Sequence, residues 1–226
     1  MTMTILDNIV WHTLSGPHAV YSLGDHRVRR YARGFPPVVA FADPATPDFH
    51  VLERYVAPGE RVYCDGWSGR APAGWQVTSE NILLTMLHEN PVALPASSYD
   101  AVLLECRSAL AALELADLTR PGPFTLRTLE LGEYFGIFEG ARLIAMAGSK
   151  RCAGGFSEVT GVCTHPDFTG RGLARRLVGK VLRNLHRRGE RPFLRVMQDS
   201  QGAVRLYHRL GFRPVRASLA RTLVQR

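Results

Sequence analysis

Nowhere in this chain does an apolar run approach the ~18–20 residues of a membrane-spanning helix. The sequence opens on Met-Thr-Met-Thr-Ile-Leu-Asp, without a basic stretch followed by an apolar one, so no secretory signal is expected. Cysteine is scarce as well. Cys64, Cys106, Cys152 and Cys163 stand far apart, with neither Cys-x-x-Cys nor a Cys/His spacing, which excludes a zinc site and a disulfide scaffold. The expectation is reduced thiols in a cytoplasm, with no membrane partner. Acidic residues run short in one region only. Between residues 167 and 226 fifteen Lys/Arg face Asp167, Glu190 and Asp199, a balance of +12 that leaves −4 for the first 166 residues and +8 overall. Such asymmetry suits nucleic acid or an anionic small molecule. The arginines are not interleaved with exposed aromatics, so nucleic acid is not expected, and a solvated helix face accounts for most of them.

What is present is organised around residues 156–188. Residues 158–164 are rich in β-branched side chains and Pro166 cannot donate to a ladder, which predicts a strand ending near His165. A helix follows, with Leu173, Ala174, Leu177, Val178, Val181, Leu182 and Leu185 on one face and Arg175, Arg176, Lys180, Arg183 and Arg187 on the other. Between them, Thr169-Gly170-Arg171-Gly172 offers backbone that a ligand can approach closely, beside first-turn N–H groups that lack intrahelical partners. This is an anion site. A pyrophosphate there meets converging donors and the positive end of the helix dipole.

Three motifs occur in order: Val162-x-x-x-Pro166, then Gly170-Arg171-Gly172-Leu173-Ala174, then Asp199-Ser200-x-x-Ala203-x-x-Leu206-Tyr207-x-x-Leu210-Gly211-Phe212. Together they resemble the acetyl-coenzyme A core of the GNAT superfamily of N-acetyltransferases, over residues 118–212. The loop alone would suit other phosphates, and the second motif at this distance makes the resemblance specific. The chain departs from the family pattern at Thr169, where Gln or Arg is usual, and at Ser200, where Asn is usual. Both changes remove potential cofactor contacts.

The resemblance implies an α/β (α+β) fold, a GNAT-type mixed, mostly antiparallel sheet flanked by helices. It implies acetyl-coenzyme A as acyl donor, no metal, and a small-molecule, amino-acid or peptide amine as acceptor. For the cofactor it points to Val162, Cys163, Thr164, Thr169, Gly170, Arg171, Gly172, Leu173, Ala174, Arg175, Ser200, Ala203 and Tyr207. For the acceptor it points to Arg120, Phe124 and Glu158, with Arg127 beside them. A plain connecting loop is the other reading of 118–127.

The first hundred residues differ in texture. They carry a short helix and turn at 9–18, a basic run at 26–33, strands at 36–42 and 60–64, and a helix at 49–56 that ends before Pro58-Gly59. Another strand starts at 75–77, and 80–89 reads as a short amphipathic piece stopped by Pro91. Residues 91–98, with two prolines and two serines, read as a linker. The expected division is therefore an α/β domain over 1–97, a degenerate repeat of the second being one reading of it, and the transferase over 98–226. In the second part, 105–117 predicts a helix, 134–138 and 142–147 a hairpin around Glu139-Gly140-Ala141, and 193–197 a buried parallel strand. A helix over 201–210 follows, with Ser200 as N-cap and Gly211 as its stop, and 212–224 forms terminal strands.

Acyl transfer from a thioester to an amine needs a neutral nucleophile, a stabilised oxyanion and a proton for the departing thiolate. A lysine-type amine has a pKa of about 10.4, so a base, or a water leading to one, must take its proton. By resemblance Glu158 is the candidate, with burial between apolar neighbours expected to raise its pKa. A strand carboxylate facing solvent or pairing with Arg151 is the alternative. Backbone N–H groups over 162–164, left unpaired where strands diverge, would hold the thioester oxygen. Tyr207 is the candidate acid, without a large pKa shift, and a packed helix tyrosine is the alternative. His165 and His208 lie near the motifs and are weaker candidates as proton shuttles. Cys163 reads as a small buried apolar residue, so direct transfer is expected over an acyl-enzyme. An acyl-coenzyme A sensor without turnover is the competing function, and a second copy completing the site stays open.

Overall fold

A computed structural model describes residues 5–89 and 101–226. The basic, apolar-striped segment forms the helix α4 (Leu173–Arg187), whose Leu177, Val178, Val181, Leu182 and Leu185 are buried. At about 1.5–3 kcal/mol for each fully buried aliphatic side chain, that stripe is enough to fix the helix on a sheet. The strands beneath it are β7 (Gly132–Glu139), β8 (Arg142–Arg151), β9 (Phe156–Thr164) and β10 (Arg191–Met197). Their alternation splits the core. Phe135, Ile137, Ala145, Ala147, Val159, Leu194 and Val196 pack with α4, whereas Tyr134, Met146 and Cys163 face α3 (Ala109–Thr119) on the other side.

The remaining elements extend this sheet. In chain order they are α1 (Ile9–Ser15), β1 (Ser22–Gly24), β2 (Val28–Tyr31), β3 (Val38–Phe41), α2 (Phe49–Leu52), β4 (Arg61–Asp65), β5 (Trp75–His88), β6 (Val102–Leu103), α5 (Gln201–Arg209) and β11 (Phe212–Gln225). Eleven strands lie in the order β1-β2-β3-β4-β11-β5-β10-β9-β8-β7-β6. Among the described residues, pairing is antiparallel except between β3 and β4 and between β9 and β10. The mixed, mostly antiparallel sheet flanked by helices is the architecture expected.

Several local expectations are corrected. Residues 75–77 and 80–89 are not two pieces: they run into the single strand β5, paired with β11 from Trp75↔Gln225 to His88↔Phe212. That long ladder supplies the partners that the exposed polar stretch 78–82 could not recruit by burial. The helix expected over 49–56 is only four residues long, capped by Asp48, whose side chain accepts from the Val51 N–H. Helix α3 starts at Ala109, not at 105. Ser200 occupies the N-cap of α5 but makes no side-chain cap bond. Lys180 is not simply solvated, since its Nζ donates to the Ala101 carbonyl at 2.9 Å and lies over the Phe135 ring.

The expected linker and the boundary near residue 97 lie outside the described residues. Strands from both sides of it share one sheet, with β5 seated between β11 and β10. A second core of Val28, Phe41, Phe49, Leu52, Val62, Trp67 and Trp75 closes over the β2–β4 end, and it includes Leu223 from the last strand. This coupling predicts one cooperative unfolding transition. All three tryptophans, Trp11, Trp67 and Trp75, lie in the first 97 residues, so their fluorescence reports on that part alone. Leu182→Ala, in α4, is expected to cost about 2–5 kcal/mol and to shift the tryptophan transition in urea as far as the circular-dichroism transition. Separated transitions would contradict the coupling.

Candidate active site

The site begins where β9 and β10 part. Their parallel register covers Phe156↔Arg191 to Val159↔Leu194 and ends there, while β9 continues to Thr164 and β10 to Met197. On its other side β9 bulges against β8: the register jumps between Gly148↔Thr160 and Met146↔Cys163. Gly161 takes the bend with φ +61°, and a Cβ there would lie 2.8 Å from Tyr134 Cε1, so the bend and the ring contact both require glycine. From Thr160 to Thr164 the β10-facing edge of β9 has no ladder partner among the described residues. Thr164 Oγ1 in this segment is buried without a hydrogen bond.

Below the gap lies the glycine loop. Gly170 and Gly172 have φ +77° and +74°, and open space stands where their Cβ atoms would be. Gly172 is the N-cap of α4 and brings no side chain, so the first-turn N–H groups of Leu173, Ala174 and Arg175 have no side-chain cap. Thr169 is exposed, its Oγ1 donating back to the Pro166 carbonyl. Arg171 lies over the Phe168 ring at 4.6 Å and Arg175 is exposed. A cradle of donors at a helix start, with room left by two glycines, fits a diphosphate, and the unpaired β9 edge with the orphaned Thr164 hydroxyl fits an amide-bearing chain running up the gap. Ser200 is exposed beside α5, and Ala203 packs at the edge of the α4 core.

Tyr207 on α5 is buried against Phe212. Burial, and less so the Cys163 thiol near it, raises its pKa to about 12, a larger shift than expected, so it stays protonated at any physiological pH. Cys163 itself is buried and its thiol is pushed up to about 11 by burial, which leaves almost no thiolate for an acyl-enzyme. His165 is held by Arg142 at Nε2 and by the Asp167 N–H at Nδ1, and His208 is exposed on α5.

At the apex of the gap sits Glu158, and here the expectation is overturned. Its neighbours are not apolar. Lys150 Nζ lies 3.0 Å from Oε2, and Arg195 donates from Nε to Oε1 at 2.9 Å and from Nη2 to Oε2 at 3.3 Å. Burial by itself would raise the carboxyl, but the charges and hydrogen bonds of Arg195 and Lys150 outweigh it and hold the pKa at about 2. Neither the pairing with Arg151 nor the solvent-facing carboxylate is found. Beyond Arg195 the charged row continues through Asp65 to Arg216 and Asp7. From the first part of the chain, Tyr31 and His18 close in, with His18 Nδ1 and Tyr31 Oη 2.8 Å apart.

Of the acceptor-side residues, Phe124 is brought to the site, edge-on to Tyr134 and near Gly161. Arg120 ends α3 in left-handed backbone at φ +50° and is exposed, while Arg127 lies over Phe35 and pairs with Glu130. Lys150, Arg195, Asp65, Tyr31, His18 and Tyr134 were missed by sequence reasoning. Alternation along their strands marks all but the turn residue His18 as one-face residues, but which strands lie side by side is not written in any local pattern.

A family model described as FR47-like protein matches residues 134–220. The structure superposes with a TM-score of 0.89 on a protein from Novosphingobium aromaticivorans assigned to the GNAT family of acetyltransferases. The two share 31% identity over 99% of this chain and 100% of that one. This chain belongs to the GNAT family. Two further GNAT structures share the fold at low identity: a GCN5-related N-acetyltransferase-like protein from Streptococcus suis (TM-score 0.62, 17% identity, 96% of this chain and 92% of that one) and a GCN5-related N-acetyltransferase from Kribbella flavida (0.57, 16%, 97% and 92%). No curated protein matches. In this GNAT chain the two-glycine loop opens helix α4, Tyr207 packs in the core beside that helix, and the apex carboxylate is an ion-paired one.

Its pH dependence follows. A carboxyl lowered from 4.5 to about 2 on folding contributes stability that is complete above pH 4.5 and disappears as pH falls through 2. His18 acts earlier: burial lowers it from 6.5 to about 4, so its stabilising neutral state begins to be lost below pH 6.5. Urea midpoints are therefore expected to fall in two steps between pH 6.5 and 2. Glu158→Gln leaves two buried cations short of a partner and is expected to cost about 3–5 kcal/mol at pH 7, with the lower step reduced to what other lowered carboxyls such as Glu60 contribute. An unchanged acid profile in that variant would refute the pairing.

Proposed function

We propose that the chain transfers an acetyl group from acetyl-coenzyme A directly to a primary amine. The observation that carries this is the gap between β9 and β10, with the two-glycine loop at its mouth and Tyr207 on its wall. When bound, acetyl-coenzyme A supplies an acyl group already activated as a thioester. Backbone N–H groups of Gly172 to Arg175 hold its diphosphate, and Arg171 and Arg175 add charge at the rim. The free edge of β9 over 162–164 orients the pantetheine arm and donates to the carbonyl oxygen as negative charge builds there, which is worth a few kcal/mol at the transition state.

Tyr207 holds a proton at Oη and gives it up as the carbon–sulfur bond breaks and the carbon–nitrogen bond forms. The amine loses two protons in all: one replaces that of Tyr207 and one leaves to solvent. Glu158, held ionised between two cations, attracts the acceptor ammonium and is not itself the strong base. The net positive charge over 167–226 supports an anionic co-substrate without requiring nucleic acid. The same charge suits an acyl-coenzyme A sensor, and turnover distinguishes the two.

Calorimetric titration with acetyl-coenzyme A, followed by thiol release with a panel of amines, tests the proposal. Gly172→Asp, which forces a side chain into left-handed backbone and a negative charge into the cradle, is expected to weaken acetyl-coenzyme A binding more than ~10-fold. Tyr207→Phe is expected to lower kcat by about 10²-fold, the low end for a general acid, with a much smaller effect on binding. Binding without thiol release for any amine would favour the sensor, and no binding at all would sink both readings.

A further inference from the structure

The face of the sheet opposite α4 carries a row of alternating charge, largely buried from Lys150 on β8 through Glu158 on β9 and Arg195 on β10 to Asp65 on β4, and running outward through Arg216 on β11 to the more exposed Asp7 ahead of α1. Such charges are costly to bury, and two of them, Glu158 and Arg195, sit where β9 and β10 part. Arg195 is the first β10 residue past the last β9 pair, and Glu158 belongs to the next-to-last pair. Above them is a cavity of about 10 Å³, room for one water, lined by Lys150, Glu158, Arg195, Tyr31 and Cys152 and roofed by Ile9, Val10 and Thr13 of α1.

The bonding capacity of this cavity is not used up. Glu158 has about four lone-pair sites and receives three donors, leaving one for another N–H. Lys150 has three N–H groups, of which one is on Glu158. Arg195 Nη1 stands 3.6 Å from Asp65, and Arg216 Nη1 stands 3.7 Å from it, both beyond hydrogen-bond length. In register between those two arginines, Thr85 is 1% exposed and its hydroxyl has no partner. One spare acceptor site and several spare donors therefore lie together at the apex.

The charges decide what can enter. The row alternates three cations with three anions, so its formal charge is zero. A simple ammonium would leave this buried site one charge in excess, whereas a zwitterion adds none. We propose that the acceptor is a zwitterionic α-amino acid with an apolar side chain. Its ammonium takes the free site on Glu158 and its carboxylate the spare donors of Lys150 and Arg195, and because the cavity as it stands holds no more than a water, the roof formed by Ile9 and Val10 of α1 must move aside to admit its side chain. The inference rests on the transferase reading above and narrows its acceptor. It also gives the first hundred residues a task, the wall and roof of the acceptor pocket.

Matched pairs test it: leucine against 3-methylbutylamine and phenylalanine against 2-phenylethylamine, each with acetyl-coenzyme A and thiol release as readout. The amino acid is expected to exceed its decarboxylated partner at least ~10-fold in kcat/KM. Lys150→Met takes one of the two cations from Glu158 for either acceptor, and is expected to raise KM for the amino acid ~10-fold and KM for the amine by a clearly smaller factor. Val10→Phe, which fills the pocket without touching a charge, is expected to lower turnover of phenylalanine more than of glycine. Acetyl-coenzyme A affinity, measured on both variants, reports whether they remain folded. Equal or better use of the decarboxylated amines, or equal losses on both members of a pair in a variant that still binds acetyl-coenzyme A, overturns the proposal and leaves the transferase reading standing. Absence of thiol release with every acceptor would instead strike at the transferase reading itself.

Discussion

Between β9 and β10 the hydrogen-bond ladder runs from Phe156↔Arg191 to Val159↔Leu194 and then stops, although both strands continue. A buried backbone edge without a partner is costly unless something else satisfies it. The rest of the site relates to that edge: the bulge at Gly161 turns it aside, the glycine loop follows its end, and Cys163 within it lies near Tyr207. Fold and chemistry are joined here in the proposed function, in which the defect in the sheet is also the channel for a pantetheine arm.

The second constraint is the buried carboxylate at the apex. A glutamate among apolar side chains would rise in pKa and act as a base, whereas one between Lys150 and Arg195 falls to about 2 and acts as a fixed charge. Burial is the same in both cases, and the neighbours set the sign. Those neighbours are held from beyond the transferase motifs. Arg195 reaches Asp65 on β4, and the cavity beside Glu158 is closed by α1 and Tyr31.

Helix α4 and the loop before it were legible because their signals are local: a 3.6-residue stripe, two glycines and a proline all act within one turn of each other. The hairpin of β7 and β8 and the stop at Gly211 were legible on the same grounds. The joining of 75–77 with 80–89 into one strand was not, since residues such as Ser79 and Asn81 gain their β structure from pairing with Thr222 and Ala220 and not from their own preferences. The hydroxyl of Ser200 illustrates a lesser failure. Its type suits an N-cap, but the turn places it where it does not reach a helical N–H.

By itself, then, the sequence determined the family resemblance and the glycine turn before α4, because those features depend on residue type and short spacing, and the resemblance in turn singled out Glu158 and Tyr207. Only the tertiary structure decided what Glu158 is. Its two cations, eight and thirty-seven residues away, meet it through strand register, and register is a property of the assembled sheet. The same holds for the part that 1–89 plays at the apex, since Tyr31 and α1 reach it across a sheet whose strand order no local pattern encodes.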